Sequence, residues 1–340
     1  MKGRLKILRT VLPDAIQSTR KRARRTVVRL RLKLSGADKE ARLQAERMLR
    51  GREQYGALRK ADAVVVSHPK CGRTWLRVML SSLYQQVYDL PEDVLLGFDN
   101  FHHMDRHIPR ILFTHDDFIR EYTGNRETKA DFYDKKVILL VRDPRDVAVS
   151  QFFHWLHRTQ PWKKDMYGYP KHDNDLSVFE FVLHEDGGLP RVINFMNMWA
   201  RDRENLRNLL VVRYEDMRAA PFDALAEVSR FLDIPATDLQ LEAAVAYASY
   251  ENMKKKEAEQ SFRMSGSRLA PGNKDNPDSF KVRRAKVGGY RDYFDNRQIE
   301  AIDALVSDTL DPIFGYFGTA PQATSERGAN GVTGAGGKRS

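Results

Sequence analysis

The run His68-Pro69-Lys70-Cys71-Gly72-Arg73-Thr74-Trp75 follows the β-branched stretch Val64-Val65-Val66 and opens an apolar, helix-forming segment. A strand, a tight loop and a helix start in that order put charged side chains at a helix N-terminus. The first amides of a helix have no partner within it, so a loop carrying Lys70, Gly72 and Arg73 there is suited to hold a phosphate or a similar anion. Lys70 supplies charge while the amides orient the ligand. A nucleotide triphosphate loop reads GxxxxGK[ST], and this one lacks both the first glycine and the lysine after the second. The pattern points to anion binding rather than to ATP. Taken alone, these residues also fit a plain strand-to-helix turn that happens to carry a lysine.

Further strand ends carry residue types that do chemistry. Val137-Ile138-Leu139-Leu140-Val141 runs into Arg142-Asp143-Pro144, where Asp143 suits an N-cap and Pro144 the first turn of the next helix. His115 ends the stretch Arg110-Ile111-Leu112-Phe113-Thr114 and falls at the carboxyl edge, where parallel sheets build their sites. An imidazole there either accepts a proton near neutral pH or serves the structure alone. His102, His103 and His107 cluster in the stretch from Leu90 to Arg110, but no carboxylate or cysteine pattern completes a metal set and no metal is expected. That stretch reads as a lid over an acceptor. Cys71, the single cysteine, is either a small filler or a thiol made reactive by the helix N-terminus.

In order and spacing, these segments resemble the sulfotransferases that use 3′-phosphoadenosine 5′-phosphosulfate (PAPS). Pro69 to Trp75 is similar to that family's PKSGTTW, Arg142 to Ser150 to its RxPxDVxxS, and Val212-Arg213-Tyr214-Glu215-Asp216-Met217 to its VRYEDM. The agreement spans roughly residues 61–315. The resemblance implies an α/β fold, a three-layer sandwich with a central parallel sheet and a P-loop-like phosphosulfate loop. It implies that Lys70, Cys71, Gly72, Arg73 and Thr74 cradle the 5′ end of the donor and that Trp75 stacks on adenine. Arg142 and Ser150 would hold the 3′-phosphate, Tyr214 with Ala248-Ser249-Tyr250 would flank the adenine, and Arg283 and Arg284 would close over the 3′-phosphate. His115 stands in the place of the catalytic base, with Lys70 at the leaving phosphate. Cys71 replaces the family serine, Ala285 a glycine, Gly289-Tyr290 an Asp-Trp pair, and Phe113 a lysine.

The elements that must position these residues are legible as periodicity. Asp38 to Lys60 predicts an exposed helix leading to the first strand, and Thr74 to Tyr88 a helix whose Leu76, Met79, Leu80 and Leu83 form a core stripe. Phe179–Leu183, Val192–Leu206, Ala220–Leu232, Asp238–Ala248 and Arg297–Leu310 read as helices, and Leu209–Arg213 as a buried strand. Gln160 to Asp175 reads as a polar insertion whose Lys163, Lys164 and Lys171 either meet an anionic acceptor or stay solvated. Lys254 to Lys286 loses periodicity, and its basic end before Gly288-Gly289 reads as an anion-binding flap.

With 340 residues, 41% hydrophobic and 30% charged, the chain can bury a full α/β core. The net charge of +11 is uneven: residues 1–60 hold 19 Lys plus Arg against 5 Asp plus Glu, and the remaining 280 hold 38 against 41. Basicity therefore belongs to an arm, which disfavours a nucleic-acid binder built on the body of the chain. Leu5, Leu8, Leu12 and Ile16 recur at helical spacing within residues 1–34. That segment suits an anionic membrane surface, a nucleic acid or a solvated tail, and its Arg-rich, acid-poor composition also matches a transit peptide. No apolar run approaches the roughly 20 residues of a membrane span. The expected organisation is a basic helical arm at 1–60, a sulfotransferase domain at 61–318 and a disordered tail at 319–340. A single cysteine fits a reducing cytoplasm, at the inner face of the membrane if the arm binds there. A carbohydrate or glycolipid hydroxyl is the acceptor that such a tether favours, and a P-loop-type kinase is the competing enzyme class.

Overall fold

The computed structural model describes residues 25–92, 94–171, 175–259 and 271–317, with Thr19 and Ala23. The expected apolar stripe from Leu5 to Ile16 and the expected tail at 319–340 lie outside the described residues.

Four strands, β1 (Ala63–Val66), β2 (Ile111–Thr114), β3 (Lys136–Val141) and β4 (Asn208–Arg213), form a parallel sheet in the order β2-β1-β3-β4. Val64 pairs with Leu112 on one side and Val137 on the other, and Leu139 pairs in turn with Val211. All of β1 is buried, and β3 is buried from Val137 on, so both faces of the sheet are covered by helices in three layers. This is why the two central strands read as unbroken Val, Ile and Leu rather than as alternation. β4, expected to be buried, is an edge strand with Leu209 and Leu210 half-buried and Val211 40% exposed. Among the described residues it has a strand neighbour on one side only.

From Lys39 on, the helices in chain order are α1 (Lys39–Lys60), α2 (Arg73–Val87), α3 (Asn100–Met104), α4 (Asp117–Thr123), α5 (Pro144–His157), α6 (Pro161–Tyr167) and α7 (Val178–Leu183). They continue as α8 (Leu189–Arg201), α9 (Tyr214–Ala219), α10 (Pro221–Phe231), α11 (Asp238–Tyr247), α12 (Tyr250–Glu259) and α13 (Asn296–Thr309). α1 starts at Asp38, whose side chain accepts from Ala41 N, but it is no exposed spacer. It packs along α4, and its buried Glu46 takes Arg29 at 2.9 Å and Arg50 at 2.8 Å.

Three stretches expected to be irregular contain short helices: α3 in the stretch read as a lid, α6 in the polar insertion and α12 at the start of the late loop. Lys164 corrects the reading of its insertion. It is buried, with Nζ 3.8 Å from the centroid of the Trp155 ring, and so faces neither acceptor nor solvent. The stem of a lysine can cover apolar surface in this way.

Candidate active site

β1 ends at Val66 and the chain turns through Lys70, whose φ of 76° is unusual for a residue with a side chain, and Gly72 at φ 93°. A Cβ at Gly72 would stand 2.6 Å from Cδ2 of Tyr214, so glycine is required both by the backbone and by the ring beside it. Gly72 is the N-cap of α2 and Arg73 its first residue, one position earlier than the expected start at Thr74.

β2 delivers His115. Its ring is held on both nitrogens: Nδ1 lies 2.7 Å from Ser67 O and Nε2 lies 2.6 Å from Nη2 of Arg73. A carbonyl only accepts and a guanidinium only donates, so Nδ1 carries the proton and Nε2 is the acceptor. Burial, then the Arg73 charge, holds this imidazole well below its ordinary pKa of 6.5, which keeps it neutral. The next residue, Asp116, sits at φ 67° and receives Nζ of Lys129 at 2.7 Å in a buried ion pair. This pair fixes the turn that carries the histidine into α4.

β3 delivers Arg142, and Asp143 caps α5 through Arg145 N as expected. The Arg142 guanidinium lies 4.4 Å from the centroid of Tyr214 and donates to Lys70 O and Lys286 O. Asp146, in the first turn of α5, pairs with Arg142 at 3.3 Å and accepts the backbone N–H groups of Gly288 and Tyr290 at 2.9 Å. The late basic stretch is thus tied to the end of β3. A second tie is Glu257 on α12, fully buried, which accepts Lys281 N and Val282 N and lies 3.6 Å from Arg158.

Most of the residues expected at the site line one cavity of about 330 Å³, among them Lys70, Gly72, Arg73, Thr74, Trp75 and His115. Arg142, Ser150, Tyr214, Tyr250, Arg283 and Arg284 line it too. Trp75 donates from Nε1 to Ala248 O at 2.8 Å and meets Tyr214 edge-to-face. Arg283 lies 3.9 Å over the Phe153 ring and donates to Tyr293 Oη, and Arg284 pairs with Asp292.

Two of the expected residues are not among those lining the cavity. Cys71 packs into the core, where burial pushes its thiol up to about 12, so it is a filler in place of serine rather than a reactive thiolate. Ser249 instead uses Oγ to accept from Asn252 N near the start of α12.

Lys281, His154 and Asp146 also line the cavity and were not singled out from the sequence. Lys281 stood only in a generally basic stretch, and the other two lay within a helix whose inward face was unknown. The cavity concentrates positive charge: burial, followed by Arg158, Lys281 and Arg142, brings Lys70 down to about 7, with Glu257 opposing. Burial and Arg158 likewise bring Lys281 to about 8. Nε of Arg142 and Nδ1 of His154 are buried with no hydrogen-bond partner. Buried cations set close together, with their charged forms disfavoured first by burial and then by one another, beside polar atoms left over, fit a multiply charged anion. The histidines at 102, 103 and 107 do not converge: His102 bonds Ile108 O, and His107 pairs with Asp105.

A family model described as "Sulfotransferase domain" matches residues 60–313. Among curated proteins, Sulfotransferase 6B1 of Mus musculus is 26% identical over 262 residues, which cover 74% of this chain and 77% of that one. Cytosolic sulfotransferase 13 of Arabidopsis thaliana is 25% identical over 276 residues, covering 76% and 79%. The crystal structure of mouse sulfotransferase SULT7A1 complexed with PAP shares the fold, with a TM-score of 0.50 at 22% identity over 76% of this chain and 89% of that one.

Proposed function

Because the chain belongs to the sulfotransferase family, we propose that it transfers the sulfuryl group of PAPS, in line, to a hydroxyl acceptor with His115 as base. The observation that carries this reading is the convergence in one cavity of a depressed Lys70, the loop at the N-terminus of α2 and a neutral His115. Sulfuryl transfer asks the protein for alignment, a proton acceptor and positive charge where the leaving phosphate becomes more negative. Nε2 of His115 takes the acceptor's proton. Lys70 and the loop amides, with Thr74, stabilise the leaving 5′-phosphate. Arg142, Ser150, Arg283 and Arg284 hold the 3′-phosphate, and Trp75 with Tyr214 and Tyr250 encloses the adenine. No step in this scheme calls on a metal.

Calorimetric titration with adenosine 3′,5′-bisphosphate (PAP), beside ATP plus magnesium, tests the reading. Binding of PAP without ATP supports it, and binding of ATP·magnesium alone would move the chain to the kinase class.

Catalysis is assigned to residues 61–318 and a tethering role to residues 1–34, whose basic residues suit an anionic leaflet at the cytoplasmic face. Among the described residues no helix is long and apolar enough to cross a membrane. A carbohydrate or glycolipid hydroxyl is the acceptor class that fits such a tether. Deleting residues 1–34 is expected to release the chain from phosphatidylserine-containing vesicles in a sedimentation assay. Unchanged sedimentation would end the tether reading.

A further inference from the structure

Arg73 is the first residue of α2, and its guanidinium lies against the proposed base, Nη2 donating to His115 Nε2 across 2.6 Å. The other ring nitrogen is committed to Ser67 O, so Nε2 is the one nitrogen of His115 able to accept a proton. While a guanidinium donates to that nitrogen, no acceptor hydroxyl can reach it. Arg73, His115 and Lys70 line the same cavity, so an oxyanion bound beside Lys70 competes for the same guanidinium. A guanidinium meeting an oxyanion joins two opposite charges, whereas its contact with His115 joins one charge to a neutral ring, and a planar guanidinium can make two bonds at once to an oxyanion. The loop pattern that this chain resembles carries threonine where Arg73 stands, and threonine has no guanidinium to offer either partner.

Resting on the reading of His115 as base, we propose that Arg73 is a positioning residue that shares its guanidinium between His115 Nε2 and the sulfuryl oxygens of the donor. The base nitrogen is then released only when the sulfuryl group is in place. The transfer keeps its balance: the acceptor O–S bond forms, the S–O bond to the 5′-phosphate breaks, and the acceptor proton goes to Nε2. Arg73 moves no proton. It decides when the nitrogen that takes one is available, so an acceptor meets a working base only after the donor has bound.

The test reads that nitrogen directly. The full chain carrying ¹⁵N-labelled histidine is observed as wild type and as Arg73→Met, with His115→Asn to assign the signal against His68 and His154, which also act electrostatically on His115. In the wild type, PAPS is expected to move the His115 Nε2 resonance downfield, as for an acceptor nitrogen that has lost its donor. PAP, which has no sulfuryl group, is expected to leave it in place. In Arg73→Met the resonance should lie downfield without ligand, and PAPS should move it no further. Both proteins are first checked for PAP binding, with Arg73→Thr used where Arg73→Met has lost it. An Nε2 signal indifferent to PAPS in the wild type, or unchanged by the substitution, overturns the proposal. Failure of the base reading itself is seen separately, as full turnover by His115→Ala.

Discussion

Replacing His115 by alanine is expected to lower turnover by about 10²–10⁴-fold while PAP binds as before, since the change removes a proton acceptor and leaves the phosphate-binding side intact. Asparagine at the same position separates chemistry from structure, because its amide can still donate to Ser67 O but has no basic nitrogen. If His115 were structural, His115→Asn would restore most of the rate; as base, it restores little. The pH profile gives an independent check. A base works in its neutral form, and burial together with Arg73 depresses this imidazole well below 6.5. In the free protein, protonation of His115 therefore takes no activity through the neutral range, and its acid limb lies well below pH 6.5. A histidine limb at or above that value in kcat/KM for the donor, which reports the free protein, would contradict the assignment.

Methionine in place of Lys70 is expected to lower the rate by about 10²–10³-fold, the usual scale for losing one charged stabiliser of a leaving group. Donor affinity should fall with it. The lysine also has a signature in binding. In the free protein its pKa is brought down to about 7 by burial and by Arg158, Lys281 and Arg142, so above that pH it is largely neutral. Phosphates bound beside it favour the charged form and raise the value. Between the two values, binding must take up a proton, and below the lower one the uptake disappears. PAP titrations on the alkaline side of neutrality, in buffers of different ionisation heat, should show this uptake in the wild type. Lys70→Met should keep only the share due to Lys281, which is depressed to about 8. Equal heats in all buffers would mean that Lys70 is already charged in the free protein.

Much of the phosphate side was legible because it is local. The Val64–Val66 run, the turn at Gly72 and the apolar face of α2 are each written within a few residues, as are β3, the Asp143 cap and Pro144. What was not legible joins segments far apart in the chain. Arg73 was expected at the donor's 5′ end, and nothing in its loop says that it also touches His115. Asp146 fits the pattern of its helix, yet its part in holding Gly288 and Tyr290 depends on where the chain returns much later. Glu257 is one of several charges in Lys254-Lys255-Lys256-Glu257, and only its burial marks it out. Periodicity failed in short helices such as α6, where Pro161 and a few residues carry too little pattern to outweigh the surrounding polar residues. β4 reads as a buried strand because its apolar residues give no sign of its place at the edge.

The order β2-β1-β3-β4 also governs how the molecule comes into being. The strand that ends up in the middle is synthesised first, and Val64 has neither neighbour until Leu112 and Val137 have been made. Pairings between distant segments pay their loop-closure entropy before the contacts reward it, and are slow to form. A nascent chain that ends before β2 therefore has one of its most apolar strands unpaired, and one that ends between β2 and β3 has it covered on one edge at most, a species prone to aggregate and a natural client for chaperones. The exposure lasts until Lys136–Val141 arrives to cover the second edge of β1.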